Sequence, residues 1–244
     1  MEEMYQTSGI ARMVEQQWKK WLLLTQGKAQ EKQRESLPFP TVTISRERGS
    51  GGGMIGSKVA ELLGFVLFDK EIVDAVARSA SLDRLVVEHM DERSQRSIRE
   101  RAQRVMHQQA FSPQTYMAHL TKAILTIGEK GRAVIVGRGA HLLLPPEHSL
   151  RLRIIAPLAT RVERVCSATG LSEAEGQKLV SDTDRERTRY IQENFGCADA
   201  DPLLYDLVIN TGSLSQEAVA GLIVRTALAR FPQIRELQSA DSPR

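Results

Sequence analysis

The sequence predicts an α/β fold in which a parallel sheet is covered by helices on both faces. Short apolar runs rich in β-branched residues recur at 41–45, 65–68, 133–136, 150–155 and 206–209. Stretches with helical periodicity separate them, as expected when strands are buried on both sides. The first run, Thr41-Val-Thr-Ile-Ser45, leads into Arg46-Glu-Arg-Gly-Ser-Gly-Gly-Gly-Met-Ile-Gly56, a glycine cluster from which an amphipathic helix leaves. In open sheets of this kind, ligands gather at the carboxyl ends of the strands.

Taken in order, residues 8–35 read as one helix, because Ile10, Met13, Val14, Trp18, Trp21 and Leu22 recur at three- and four-residue spacing. This N-terminal helical extension (1–38) ends before Pro38 and Pro40. Its apolar stripe either packs on its own domain or, with two tryptophans as anchors, forms a homodimer contact. The main domain occupies 39–244, with helices expected at 54–63, 70–80, 157–168, 172–194 and 214–230. Residues 83–129 carry no strand signal and many polar helix formers, which marks a helical insert after the second strand. Residues 160–195 are laced with arginine around Gly170 and read as a helix–loop–helix lid.

At 244 residues the chain can bury one substantial core besides such an insert and lid. A net charge of +3 is too small to argue for nucleic acid, and none is expected as a partner. Cys166 and Cys197 lack metal-ligand spacing and read as two reduced thiols. Met1-Glu-Glu is acidic and no apolar signal segment follows; Trp21-Leu-Leu-Leu24 is far too short to span a bilayer. The expected location is therefore cytoplasmic, with no membrane partner.

Glycines let backbone N–H groups turn inward, and a following helix begins with unpaired donors at its positive dipole end, so strand–glycine loop–helix builds an anion site. Arg46, Arg48, Gly49, Ser50, Gly51, Gly52 and Gly53 are its candidate residues. The loop departs from G-x-x-x-x-G-K-[ST], whose lysine reaches the terminal phosphates. Gly51 and Gly56 have the outer spacing, but Ser57-Lys58 follows in the wrong order. Lys58 lies on the flank of the stripe formed by Ile55, Val59, Leu62 and Leu63, and is expected to face solvent. Aligned on the helix-to-strand unit Ala60–Gly64, the usual lysine position falls on Gly52 and the usual threonine on Met54. Arg46 or Arg48 is left to supply the charge from the strand side.

Several further segments, in order, resemble the cytidylate kinase-like family of P-loop nucleoside-monophosphate kinase relatives. They are Ile44–Gly52 with Ile55-Gly56, Phe68-Asp-Lys-Glu-Ile72, Val134-Ile-Val-Gly-Arg-Gly-Ala140, Ala156-Pro-Leu with Arg161-Val-Glu-Arg164, Gly170-Leu-Ser-Glu, Thr183-Asp-Arg-Glu-Arg187 and Tyr205–Asn210. The likeness covers about Pro40 to Leu222. It implies a P-loop kinase three-layer α/β/α sandwich with a five-stranded parallel sheet, a helical acceptor-binding insert and an arginine-bearing lid. It also implies transfer of the ATP γ-phosphate to a nucleoside monophosphate (CMP or dCMP in the true kinases), with ATP and Mg2+ required. The missing lysine is typical of the like-named subfamily. True kinases carry an aspartate where Gly139 stands, and like-named relatives often an acid where His141 stands.

Phosphoryl transfer asks mainly for positioning and charge neutralisation. On that basis Arg161, Arg164, Arg185 and Arg187 are the candidates to close over the phosphates. Arg161 and Arg164 are three residues apart and expected to converge. Each alternatively belongs to a solvated helix face paired with Glu163 or Asp184. Asp69 either holds the acceptor or caps the helix from Lys70. Arg138 either takes the acceptor phosphate or pairs with a neighbouring carboxylate. No magnesium ligand is assigned, though Ser50 and Ser57 are open to that role by chemistry, and His141 has no companion at ligand spacing. Two alternatives to a nucleotide kinase stand beside it: a catalytically weak nucleotide-binding regulatory protein, and a P-loop kinase for another small acceptor.

Overall fold

The computed structural model describes residues 40–78, 98–103 and 116–235, together with 16–17, 20–21, 23–24 and 95–96. Its strands are β1 (Thr41–Arg46), β2 (Val66–Phe68), β3 (Ala133–Val136), β4 (Ser149–Ile155) and β5 (Leu207–Asn210). They form a five-stranded sheet in the order β2-β3-β1-β4-β5. Every neighbouring pair is parallel, with Ile44 of β1 facing Val136 on one side and Leu152 on the other. The chain leaves β1 for one half of the sheet and returns to the other half at β4. The carboxyl end of β1 is thus a topological switch point, where a crevice opens.

The helices around the sheet include α1 (Gly52–Leu63), α2 (Lys70–Arg78), α3 (Tyr116–Lys130), the short α4 (Ala140–Leu143), α5 (Leu158–Thr169), α6 (Glu173–Phe195) and α7 (Gln216–Arg230). On one face, Val42, Ile44, Leu150, Leu152 and Ile154 pack against Ile55, Val59 and Leu63 of α1 and Val219, Ile223 and Ala227 of α7. On the other, Phe68 and Ile135 pack against Ile72, Val73 and Val76 of α2 and Leu120, Ile124 and Ile127 of α3. The two-sided burial explains why the strands read as unbroken apolar runs rather than alternating ones. This is the three-layer α/β/α architecture that the sequence predicts. The four-residue α4 and the 3-10 turns Pro146–His148 and Pro202–Leu204 were not anticipated.

Trp21 is fully buried in this second layer. Its indole N–H donates to Gly131 O at 2.9 Å, and its ring meets Phe68 edge-on at 5.6 Å and 83°. This tryptophan is an anchor within its own chain and is unavailable to a dimer surface; Trp18 lies outside the described residues. Much of the expected insert (83–94, 97 and 104–115) is likewise outside them, while its residues 95–96, 98–103 and 116–129 are helical. No described helix is long and apolar enough to cross a membrane. Cys166 and Cys197 are both free thiols.

Candidate functional site

The turn after β1 is built by its own short-range bonds. Ser50 donates to Glu47 O through both its N–H (3.3 Å) and its Oγ (2.9 Å), and Thr211 Oγ1 donates to Ser50 O at 2.8 Å. Ser50 is therefore a buried peg, and its hydroxyl, which chemistry alone left open to a magnesium ion, is taken up by Glu47 O. Gly49 and Gly51 have φ of +82° and +85°, a region that L side chains rarely adopt. Gly51 caps α1 without a side chain, and the first helical bond runs from Ile55 N–H to Gly51 O at 3.0 Å. The N–H groups of Gly52, Gly53 and Met54 consequently have no acceptor within the helix. All three residues line a cleft of about 1450 Å³.

That cleft is also walled by Asp69–Glu71 after β2, by Val136–Gly139 after β3, and by parts of α5 and α6. Arg46 extends into it beside Gly137, and among the described residues its guanidinium has no hydrogen-bond or ion-pair partner. Burial, with the nearby Arg187 and Arg138 charges, pushes the Arg46 pKa down to about 10 against the weaker pull of Glu71 and Asp199. Arg187 of α6 lines the same space; its Nη1 donates to Arg46 O at 2.9 Å and lies 3.8 Å from Asp184 Oδ1. Desolvation lowers its pKa as well. Crowded, half-buried guanidiniums beside a ring of free amides favour an anion.

The helix–loop–helix expected at 160–195 is present as α5 and α6. Gly170 ends α5 in the left-handed region, and Ser172 and Glu175 form a reciprocal capping box at the start of α6. Its arginines divide in a way that their spacing does not reveal. Arg161 is buried and donates to Ala156 O (2.9 Å), Arg48 O (3.2 Å) and Asp184 Oδ2. It also lies 3.3 Å from Glu47 Oε2. These acceptors fix it as an internal strut rather than a group closing over phosphates. Arg164 reaches the cleft wall but donates to Thr211 Oγ1 (3.1 Å) and Thr211 O (2.8 Å), so it does not converge with Arg161. Arg185 points to solvent, paired with Asp182 at 3.2 Å. Arg187 alone of the four faces the cleft as an expected phosphate group would. Asp184 also accepts from the Arg48 N–H at 2.7 Å, tying α6 to the glycine turn.

On the other side of the cleft, Asp69 caps α2 by accepting from Ile72 N–H at 2.9 Å, the second of its sequence-based readings, and it also lines the cavity. Arg138 has φ of +57°, a strained conformation for a non-glycine residue and one that clusters at functional sites. Its Nε donates to Asp74 Oδ1 at 2.6 Å, and Nη2 donates to Asp74 Oδ2. Tyr116 Oη donates to the same Oδ1 at 2.5 Å, and the guanidinium carbon lies 5.5 Å over the Tyr190 ring. The fork is thus engaged by a carboxylate, leaving Nη1 outside the Asp74 pair. Burial pushes the Tyr190 hydroxyl up to about 12, which keeps it protonated. A Cβ at Gly139 would lie 2.5 Å from the Phe195 ring, so the position where true kinases carry aspartate is filled from α6. Lys58 is half-exposed and pairs with Glu217 at 2.7 Å, away from the cleft as expected.

His141 is 4% exposed and stacked on Tyr205 at 4.8 Å and 26°, with Nε2 buried and unpartnered. Burial lowers its pKa to about 4. Tyr205 Oη donates to Asp199 Oδ1 at 2.8 Å, and Asp199 also accepts from Ser45 Oγ at 3.2 Å and from Arg153 Nη1. Burial alone would raise the Asp199 pKa; the Arg153 and Tyr205 contacts reverse this and hold it below the ordinary value. Asp74, Tyr116, Tyr190 and Asp199 were not anticipated as site residues. Asp74 and Tyr116 are polar residues among several in amphipathic helices. The one available signal was an acid within the buried stripe Ile72, Val73, Val76 and Ala77. Among the described residues no three His, Cys, Asp or Glu side chains are grouped to hold a metal ion.

A solved structure of an uncharacterized protein from Eubacterium ventriosum is similar to this chain, with TM-score 0.62 and 25% identity, covering 78% of this chain and 98% of that one. Cytidylate kinase from Methanopyrus kandleri is 25% identical over 100 residues, 41% of this chain and 52% of that enzyme. Uronate isomerase from Corynebacterium glutamicum is 37% identical over 112 residues, 46% of this chain but only 22% of that protein. The chain therefore spans about half of the one curated relative and about a fifth of the other. The sequence profile of the cytidylate kinase-like family matches residues 41–213, which run from the first residue of β1, through the glycine loop and both cleft walls, to the turn after β5. With most of its length matched in that way, the chain belongs to the cytidylate kinase-like family.

Proposed function

We propose that the protein transfers the γ-phosphoryl group of ATP to a nucleoside monophosphate, with CMP or dCMP the first acceptors to test. The observation that carries this reading is the set of helix-start amides at Gly52, Gly53 and Met54, open to a cleft that Arg46 and Arg187 also line. Free amides and a helix dipole suit the donor phosphates, and preorganised guanidiniums stabilise charge that spreads over the transferring group. An acceptor phosphate oxygen attacks the γ-phosphorus in line, the bond to the β-phosphate oxygen breaks, and ADP leaves with no covalent enzyme intermediate. Arg138, across the cleft, suits the acceptor phosphate through Nη1. Mg2+ commonly binds through phosphates, water and one or two carboxylates. The cleft fits that mode better than an all-protein cage, with Asp69, Glu71 and Asp199 among the acids that line it. When bound, the ion would neutralise phosphate charge.

A nucleotide-binding regulatory protein is the second reading, favoured by the internal engagement of Arg161 and Arg164. A kinase for another small acceptor is the third, favoured by the carboxylate already held by Arg138. The match to uronate isomerase covers too small a share of that protein to carry an isomerase reading. Purified protein with ATP, Mg2+ and a panel of nucleoside monophosphates separates them. ADP and a nucleoside diphosphate should form together. Binding without turnover supports the regulatory reading, and turnover only with non-nucleotide acceptors supports the third. Arg138→Ala should raise the acceptor KM strongly with little change in the ATP KM, and Gly51→Val should abolish ATP binding.

A further inference from the structure

The glycine loop has no lysine, and the position that would carry it is Gly52. Gly52 does not have a left-handed backbone, so conformation does not exclude a side chain there. Space does. A Cβ on Gly52 would lie 2.6 Å from Arg46 Cβ and 3.0 Å from Arg46 Cγ. The stem of Arg46 already fills the volume into which a lysine at 52 would grow. Farther out, the guanidinium lies against Gly137, where a Cβ would collide with Nη1. Two positions without side chains, one at the start of α1 and one after β3, thus form a slot around a single arginine from the end of β1.

We propose that Arg46 is the loop's phosphate-binding cation, a charge moved from the first turn of the helix to the last residue of the central strand. The exchange replaces a lysine point charge with a planar fork able to contact two phosphate oxygens at once. Other cleft arginines, Arg48 apart, already hold at least one acceptor in the fold. Arg187 is held by Arg46 O and Asp184, Arg164 by Thr211, and Arg138 by Asp74. Arg48 has a buried, unpartnered Nε, and its backbone is tied to Asp184 and Arg161. Arg46 and Arg48 are the cleft-lining guanidiniums with no acceptor among the described residues, and Arg46 is the one whose stem fills the slot at Gly52 and Gly137. Repulsion from Arg187 and Arg138 gives it a further reason to take up an anion.

This inference rests on the donor site placed at the glycine loop, and the test separates the two. Calorimetric titration with ATP and with inorganic tripolyphosphate, which has no base or sugar, is run on the wild type, Arg46→Ala, Arg46→Lys, Gly52→Lys and the double variant Arg46→Ala/Gly52→Lys. Losing a charge-assisted contact should weaken both ligands by about 10- to 100-fold in Arg46→Ala, and by less in Arg46→Lys. Gly52→Lys alone should bind poorly or melt early, because two stems compete for one slot. The double variant, with that slot emptied, should recover to within about tenfold of the wild type. A merely structural role for Arg46 would not produce such a rescue. If the wild type binds tripolyphosphate and Arg46→Ala binds it equally, or the folded double variant is no better than Arg46→Ala, the Arg46 assignment fails while the donor site stands. A wild type that binds neither ligand removes both.

Discussion

Acidification from about pH 7.5 to about pH 5 should cost the protein about 2 kcal/mol through His141 alone. The ring is buried against Tyr205, and burial lowers its pKa from 6.5 to about 4, with Arg153 and Arg151 adding to the shift and Asp199 opposing it. An unfolded chain takes up a proton at this histidine below about pH 6.5, while the folded chain resists until about pH 4, so acid favours unfolding across that window. The contribution is intact above the unfolded value and is lost as pH falls toward the folded one. Integrated to its limit, a shift of about 2.5 units corresponds to about 3.4 kcal/mol, of which about 2 kcal/mol has gone by pH 5. For a chain of this size, that is a fall of about 4–8 °C in Tm. The assay is urea denaturation of the wild type and His141→Phe at both pH values. Phenylalanine keeps a ring on Tyr205 without the titration, so the stability difference between the two proteins should change by about 2 kcal/mol. Parallel pH profiles would refute the reasoning, because they would mean that the ring is solvated or already partnered in the folded state.

Three further expectations concern residues whose roles the structure redefines. Arg161→Met leaves Asp184 Oδ2 and the Arg48 and Ala156 carbonyls without this donor, and should lower unfolding free energy by about 3–5 kcal/mol in a denaturant titration. Arg185→Ala, on an exposed helix face, should change stability by less than about 0.5 kcal/mol and leave nucleotide affinity unaltered. Trp21→Ala removes a buried indole and its bond to Gly131 O, and should cost about 3–5 kcal/mol. A loss below about 1 kcal/mol would place the N-terminal helical residues outside the folded core.

The sheet was legible because its signal is local: five apolar runs, each bounded by helical periodicity, need no tertiary information to be recognised. The glycine turn, the solvent-facing Lys58 and the cap at Asp69 were legible for the same reason. Side-chain partners were not. An arginine is long and flexible enough to reach partners from several elements, so helical spacing places Arg161 and Arg164 on one face without saying that one turns inward to Asp184 and the other to Thr211. Chemistry alone left the Ser50 hydroxyl open to a magnesium ion; the turn brings Glu47 O beneath it. Asp74 acquires meaning only when α2, α3 and the turn after β3 meet, bringing Tyr116 and Arg138 to one carboxylate. The competition between Arg46 and a side chain at 52 likewise depends on how β1 and α1 cross. Local pattern specifies elements, whereas the site is made by their packing.

The account depends on the amides at the start of α1 receiving a polyphosphate. Backbone 15N–1H spectra recorded while ATP and Mg2+ are added test this most directly. The largest shifts should fall on Gly52, Gly53 and Met54, and they should be absent in Gly51→Val. Saturable ATP binding that leaves those three amides unmoved would contradict it.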